Sequence, residues 1–137
     1  MQLRWDDGPG LDITDGAQLD QALDALSGRA TARPLVAYLV GGTGALGLGL
    51  DPAGGGLLLF APAESSRPAL HGVGQPAGGD DDLVFSVGGQ RYVFSGRCRV
   101  PAQTVWEAGR QYLATGELPG CVIWEPEPSP PPRQAQA

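Results

Sequence analysis

The sequence has no lysine, one histidine and two cysteines among its 137 residues. Nine arginines stand against fifteen carboxylates, which leaves a formal net charge of -6 at pH 7. Nucleic-acid-binding domains normally carry a basic patch that holds the phosphate backbone, so this balance argues against direct binding of nucleic acid. One histidine and two cysteines also fall short of an ordinary tetrahedral zinc site, and we expect no bound metal.

Long apolar segments are missing as well. The longest purely apolar runs have four to six residues, whereas a membrane-spanning helix needs about 20. Residues 1–7 lack the charged and then apolar pattern of a secretion signal. We therefore expect a cytoplasmic protein that does not associate with a membrane, in which Cys98 and Cys121 are reduced thiols.

Glycine and proline, with 22 and 13 residues, are concentrated between short apolar segments. Asp15 or Thr14 as N-cap, with Gln18 at the capping-box position, predicts a helix over residues 16–27. A proline-started second helix is predicted over residues 101–114. The strands are expected at residues 35–40, 46–50, 57–60, 83–87, 90–95 and 121–124.

The connections between these segments decide the fold class. Short glycine turns join the strands and are too short for parallel crossovers. Gly88 and Gly89 predict a hairpin that pairs Phe85 with Tyr92. We therefore predict a single α+β domain at residues 1–125, with two packed helices on a mostly antiparallel sheet of five to six strands. The proline-rich residues 126–137 are predicted to be a disordered tail.

Residues 42–47 match the G-x-G-x-x-G pattern of dinucleotide-binding loops. Such a site requires a helix directly after the glycines, whose N-terminus faces the pyrophosphate. Here leucine and glycine alternate and then meet Pro52, a pattern typical of a strand. We therefore interpret the motif as a hairpin turn and expect no cofactor.

No group of residues has the pattern of a catalytic site. His71, the single histidine, is expected in an exposed loop within residues 61–82, which we predict to be without secondary structure. The sequence has no G-x-S-x-G motif, and neither cysteine stands in a recognisable nucleophile context. We predict that the protein is not an enzyme and has no catalytic, cofactor-binding or metal-binding residues.

Asp80, Asp81 and Asp82 form the most concentrated negative charge in the sequence. Consecutive carboxylates protect the edge of the following hairpin from aggregation, or they meet a basic partner. Both interpretations stay open here. If the acids bind a partner, Glu64 and Asp51 are weaker candidates in the same group of loops.

The C-terminal third carries a specific pattern of residues. A helix begins at Pro101 and reaches Tyr112, a T-G-x-x-P turn follows, and a strand closes on Trp124. This arrangement resembles the closing signature of a bacterial polymorphic-toxin immunity family, whose upstream element order also fits. The six residues that match the family motif, all interpreted as structural, are Pro101, Tyr112, Thr115, Gly116, Pro119 and Trp124.

The resemblance implies a binding protein. Members of the family resemble small cytosolic antidotes encoded beside secreted toxins, many of which are zinc-dependent nucleic-acid deaminases. A deaminase that acts on DNA needs a basic entry channel, and an acidic protein would compete with the phosphate backbone there. We therefore expect an immunity protein that binds a cognate toxin, a DNA cytosine deaminase, and occludes its active site, with no small-molecule substrate. The alternative is a small enzyme or ligand-binding domain with a pocket around the 61–82 loop.

Overall fold

The protein is organised around one long sheet, seen in a computed structural model that describes residues 1–5, 10–29, 35–51, 55–64, 66–73, 83–87, 90–94 and 98–126. The two helices are α1 (Gly16–Arg29) and α2 (Ala102–Thr115). The strands are β1 (Gln2–Arg4), β2 (Leu11–Asp12), β3 (Leu35–Gly41), β4 (Gly44–Leu50), β5 (Gly56–Pro62), β6 (Leu70–Val73), β7 (Leu83–Val87), β8 (Gln90–Phe94) and β9 (Ile123–Pro126). Neither helix is long and apolar enough to span a membrane.

Seven of the strands follow the order β2-β1-β3-β4-β5-β6-β9, and every neighbouring pair is antiparallel. The β7–β8 hairpin attaches through a parallel bridge between Leu35 and Ser86. The predicted α+β fold with a mostly antiparallel sheet is confirmed, with more strands than expected. The predicted hairpin register is also confirmed, since Phe85 pairs with Tyr92.

Three strands, β1, β2 and β6, were not predicted from the sequence. β1 and β2 are too short to show a period, and β6 contains His71 and Gly72 after a proline-rich stretch. β6 forms because β5 and β9 supply backbone partners on both sides. The prediction of a loop over residues 61–82 is therefore wrong at Leu70–Val73. The last strand also runs to Pro126, past the predicted end of the domain, while residues 127–137 lie outside the described part of the chain.

The two faces of the sheet are covered by different elements. Both helices pack on one face, where the buried leucines of β4 meet the apolar stripes of α1 and α2. The other face carries Gly47 and Gly49 and receives Phe85 of the β7–β8 hairpin. A Cβ atom at Gly49 would lie 2.6 Å from the Leu57 Cβ and 3.0 Å from the Phe85 ring. The glycines of β4 thus make room for an aromatic side chain.

The predicted helix start is confirmed in its details. The Asp15 carboxylate accepts a hydrogen bond from the backbone amide of Gln18 at 2.9 Å, so Asp15 is the N-cap. The Gln18 side chain in turn accepts from the Thr14 amide at 2.7 Å. The helix continues to Arg29, two residues past the predicted end. Cys98 and Cys121 are both free, Cys98 buried and Cys121 half-buried.

Candidate functional site

The glycine motif at residues 42–47 forms a turn between two strands. β3 ends at Gly41, β4 begins at Gly44, and those two residues pair across the hairpin. No helix follows the glycines, because β4 continues to Leu50. The interpretation of this motif as a hairpin turn is confirmed.

We expect no binding of NAD, FAD or ATP, because no helix N-terminus stands behind these glycines to hold the phosphates. Isothermal titration calorimetry with each nucleotide should give no heat of binding at micromolar protein. A micromolar dissociation constant for any of the three would contradict the assignment.

The C-terminus of α2 is fastened to this turn by main-chain contacts. Gly116 ends the helix in the left-handed conformation, with φ 71°, and its amide donates to the Tyr112 carbonyl at 2.7 Å. The amide and the hydroxyl of Thr43 both donate to the Gly116 carbonyl at 2.9 Å. A Cβ atom at Gly42 would lie only 2.5 Å from the same carbonyl oxygen. The close approach of the two turns therefore requires glycine at position 42.

Tyr112 connects α2 to the same turn through its hydroxyl group. Its hydroxyl donates to the Gly41 carbonyl and accepts from the Gly44 amide at 2.9 Å, and its side chain is fully buried. Burial raises the pKa of Tyr112 above its ordinary value of 10.0, although hydrogen bonds with Thr43 and Gly44 act in the opposite direction. The phenol is therefore neutral at physiological pH, and its hydroxyl is hydrogen-bonded to one backbone group on each strand of the hairpin.

A cleft of about 720 Å³ opens beside this junction. It lies between the Thr43 turn, the chain at residues 62–64 and 67–70, and the segment after α2. Thr43 connects two of these walls, because its carbonyl accepts from the Ala63 amide at 2.9 Å while its own donors bind Gly116. Hydrogen bonds of Thr43 therefore connect the turn to the wall at residues 62–64 and to the end of α2.

The lining of the cleft combines apolar and acidic side chains. Phe60 and Leu70 contribute apolar surface, and the Leu118 side chain, 38% exposed, stands on the wall after α2. Glu64 and Glu117 add two carboxylates, and Arg67 adds one guanidinium to the lining. The Arg67 guanidinium lies 3.9 Å from the Glu64 carboxylate, and both side chains are largely exposed. Such a cleft suits a partner with apolar and basic groups.

Comparison with known proteins identifies the family. The family model described as immunity protein Imm1 matches residues 8–126, most of the chain. The chain belongs to the Imm1 family. None of the curated proteins is significantly similar to it.

The acids that were predicted to bind a partner do not lie together in this Imm1 protein. Glu64 lines the cleft. Asp51 follows β4 at the end of the strand opposite to Gly44, seven residue steps and roughly 23 Å from it. Its side chain is only 12% exposed and lies 3.4 Å from the Arg99 guanidinium. Asp51 therefore cannot share a small surface with Glu64, and Asp80, Asp81 and Asp82 lie outside the described residues.

His71 of this Imm1 protein has a different setting from the one predicted. It belongs to β6, with its side chain mostly buried and its Nε2 atom 3.7 Å from a Glu125 carboxylate oxygen on β9. The expectation of an exposed loop histidine is wrong, because strand pairing with β5 and β9 covers this residue.

Groups with potential reactivity lie apart in the described part of this Imm1 protein. No three His, Cys, Asp or Glu side chains of that part form a group that could hold a metal ion. Burial and the nearby negative charge of Glu107 raise the pKa of the Cys121 thiol, which makes it a weaker nucleophile at neutral pH. Cys121 is not among the residues that line the cleft.

Four residues of the cleft, Thr43, Phe60, Glu117 and Leu118, lay outside every predicted site. Thr43 was hidden within a glycine motif, and Glu117 and Leu118 were the two undefined positions of the T-G-x-x-P turn. The other positions of that turn have structural contacts: the Thr115 hydroxyl accepts from the Glu117 amide at 3.1 Å, and the Pro119 carbonyl accepts from the Trp124 indole at 2.7 Å. The sequence did contain a signal for a binding role. The acidic side chain at position 117 and the leucine side chain at position 118 are not needed by the T-G-x-x-P turn that surrounds them.

Proposed function

We propose that this protein is a cytoplasmic antidote that neutralises a cognate secreted toxin by tight one-to-one binding. The observation that carries the proposal is the Imm1 family match over residues 8–126, which includes both helices and nearly the whole sheet. An immunity protein acts by binding, and the protein is proposed to have no enzymatic activity of its own.

The proposed target is a nucleic-acid deaminase, specifically one that acts on cytosine in DNA. An enzyme of that class must draw a polyanion into a basic channel. A net charge of -6 suits a protein that binds over such a channel and excludes the substrate. The proposed mechanism is therefore occlusion of the active-site mouth.

A small-ligand-binding domain is the second candidate. The cleft of about 720 Å³ lies within the range of about 300–1,000 Å³ that is usual for ligand pockets. Part of its lining comes from residues 62–64, 67, 68 and 70, within the segment where the alternative pocket was expected. The two candidates are separated by whether a toxin or a metabolite binds the purified protein.

The occlusion proposal is tested with the product of the gene next to this protein's own, which the proposal expects to encode the toxin. We expect the two proteins to co-purify at a one-to-one ratio, and deamination of single-stranded DNA to cease in the saturated complex. Toxin activity that persists in a saturated complex would contradict occlusion, and the absence of binding would contradict the antitoxin role.

The acidic residues 80–82 are predicted to steer association. Replacing Asp80, Asp81 and Asp82 together by asparagine should slow association and flatten its dependence on salt, because rim charges act mainly on the association rate. Stopped-flow kinetics at two salt concentrations measures both effects. An unchanged salt dependence in the triple variant would remove these residues from the interface.

A further inference from the structure

We infer that the cleft beside the α2 C-terminus is the docking site for the toxin, and that its occupant is a protruding toxin segment with a basic side chain beside an apolar one. The inference rests on the proposed function, because it names the surface through which this antitoxin binds.

The first reason is the set of hydrogen bonds that orders the Thr43 turn and the segment after α2. Thr43 is hydrogen-bonded to Gly116 on one side and to Ala63 on the other, and the Tyr112 hydroxyl holds both ends of the Thr43 turn. The Gly120 amide also donates to the Gln111 side chain at 3.1 Å, which holds the chain after α2 against the helix. A cleft whose backbone is already ordered loses little conformational entropy when a partner enters.

The second reason is the state of the two carboxylates. The Glu117 carboxylate is exposed and has no hydrogen bond or ion pair with any residue in the described ranges. Glu64 has Arg67 at 3.9 Å, but the two side chains are 68% and 71% exposed, and such surface pairs contribute little. An arginine or lysine from the partner can therefore pair with Glu117 without breaking any ion pair in the described ranges. It can pair with Glu64 by displacing only the weak contact to Arg67, which also lines the cleft.

The third reason is the apolar surface between the charges. Five large hydrophobic residues are exposed in the described part of the chain, and Leu118 is the one among them that lines this cleft. Together with Phe60 and Leu70 it can cover the aliphatic stem of a long basic side chain and an adjacent apolar residue. Apolar contacts supply affinity, while the carboxylates select a basic partner over an acidic one.

The test uses two cleft variants, each with a matched control on the same full-length protein. Leu118→Arg fills the cleft and places a positive charge where the toxin's cation is expected, and its control is Leu11→Arg on β2, where the leucine is 43% exposed. Glu117→Gln removes one cleft carboxylate, and its control, Asp24→Asn, removes one exposed carboxylate from α1. Each pair changes net charge equally, so a difference within a pair reports the location and not the overall charge.

Biolayer interferometry against the toxin gives the dissociation constants, and the melting temperature confirms that each variant folds. We expect Leu118→Arg to weaken binding by at least about tenfold and Glu117→Gln by several-fold, chiefly through faster dissociation. The two control variants should stay within about twofold of the wild-type protein.

The outcomes separate the docking site from the antitoxin function. If the folded Leu118→Arg and Glu117→Gln variants bind like their controls while the wild-type protein inhibits the toxin, the docking site is wrong and the antitoxin function stands. Glu117→Gln is isosteric and exposed, so its toxin binding can be compared with that of Asp24→Asn even if Leu118→Arg fails to fold. If the wild-type protein does not bind the toxin at all, both proposals fail.

Discussion

Replacing Tyr112 by alanine is expected to lower the free energy of unfolding by about 3–5 kcal/mol, the usual cost of removing a buried aromatic side chain. Tyr112 is fully buried, and its ring contacts Phe60 edge-to-face with 5.9 Å between the ring centroids. At about 4 °C per kcal/mol for a chain of this size, differential scanning calorimetry should show a melting temperature lower by about 12–20 °C. The exposed Glu107→Ala variant, on the same helix, should change it by no more than about 2 °C.

The conservative variant Tyr112→Phe isolates the hydroxyl. It retains the ring but removes the hydrogen bonds of the hydroxyl with the partly buried Gly41 carbonyl and Gly44 amide, and each such hydrogen bond contributes about 0.5–1.5 kcal/mol to stability. A Tyr112→Phe variant as stable as the wild-type protein would contradict the role of the hydroxyl in fastening the β3–β4 turn to α2.

The pH dependence of stability provides a second measurement on the same variant. Burial raises the pKa of Tyr112 in the folded protein above 10.0, so its contribution is fully present below pH 10.0 and is lost as pH rises through the folded pKa. Phenylalanine does not titrate, and the half-buried Cys121 thiol, whose pKa is also raised, is common to both proteins. Urea unfolding between pH 8 and pH 11 should therefore show the stability difference between the two proteins narrowing above pH 10.

Replacing Trp124 by alanine is expected to cost about 3 kcal/mol, near the lower end of the range for a buried tryptophan because the side chain is only partly covered. Its ring packs edge-to-face on Phe60 at 6.4 Å between centroids, and Phe60 in turn packs on Tyr112. Its indole N–H also donates to the Pro119 carbonyl at 2.7 Å. The substitution thus removes the last of three packed aromatic rings. It also removes the hydrogen bond that connects β9 to the segment after α2.

The neighbouring residue provides the control for Trp124. Ile123 lies on the same strand with its side chain exposed, so Ile123→Ala should change the unfolding free energy by less than about 0.5 kcal/mol. Chemical denaturation of both variants, measured beside toxin binding, tests the assignment. A Trp124→Ala protein that is fully stable and has lost only its partner would show that Trp124 is an interface residue.

Part of the candidate site was predictable because it follows from local rules. A proline-started helix that ends at Thr115 and Gly116 is encoded by neighbouring residues, and the left-handed φ of Gly116 agrees with it. The cleft itself was not predictable. Thr43 and Gly116 are 73 residues apart in the chain, and no periodicity or motif in either segment indicates the other.

Sequence alone determined the two helices, the central leucine-rich strands and the β7–β8 hairpin, because their caps, stripes and alternation are set by residues within a few positions of one another. The α+β class followed from the short connections between those segments. Only the tertiary structure decided that Leu70–Val73 is a strand, that His71 is covered, that Asp51 pairs with Arg99 and that Glu117 and Leu118 line a cleft with Glu64. Each of these depends on backbone or side-chain partners far away in the chain, which local patterns do not report.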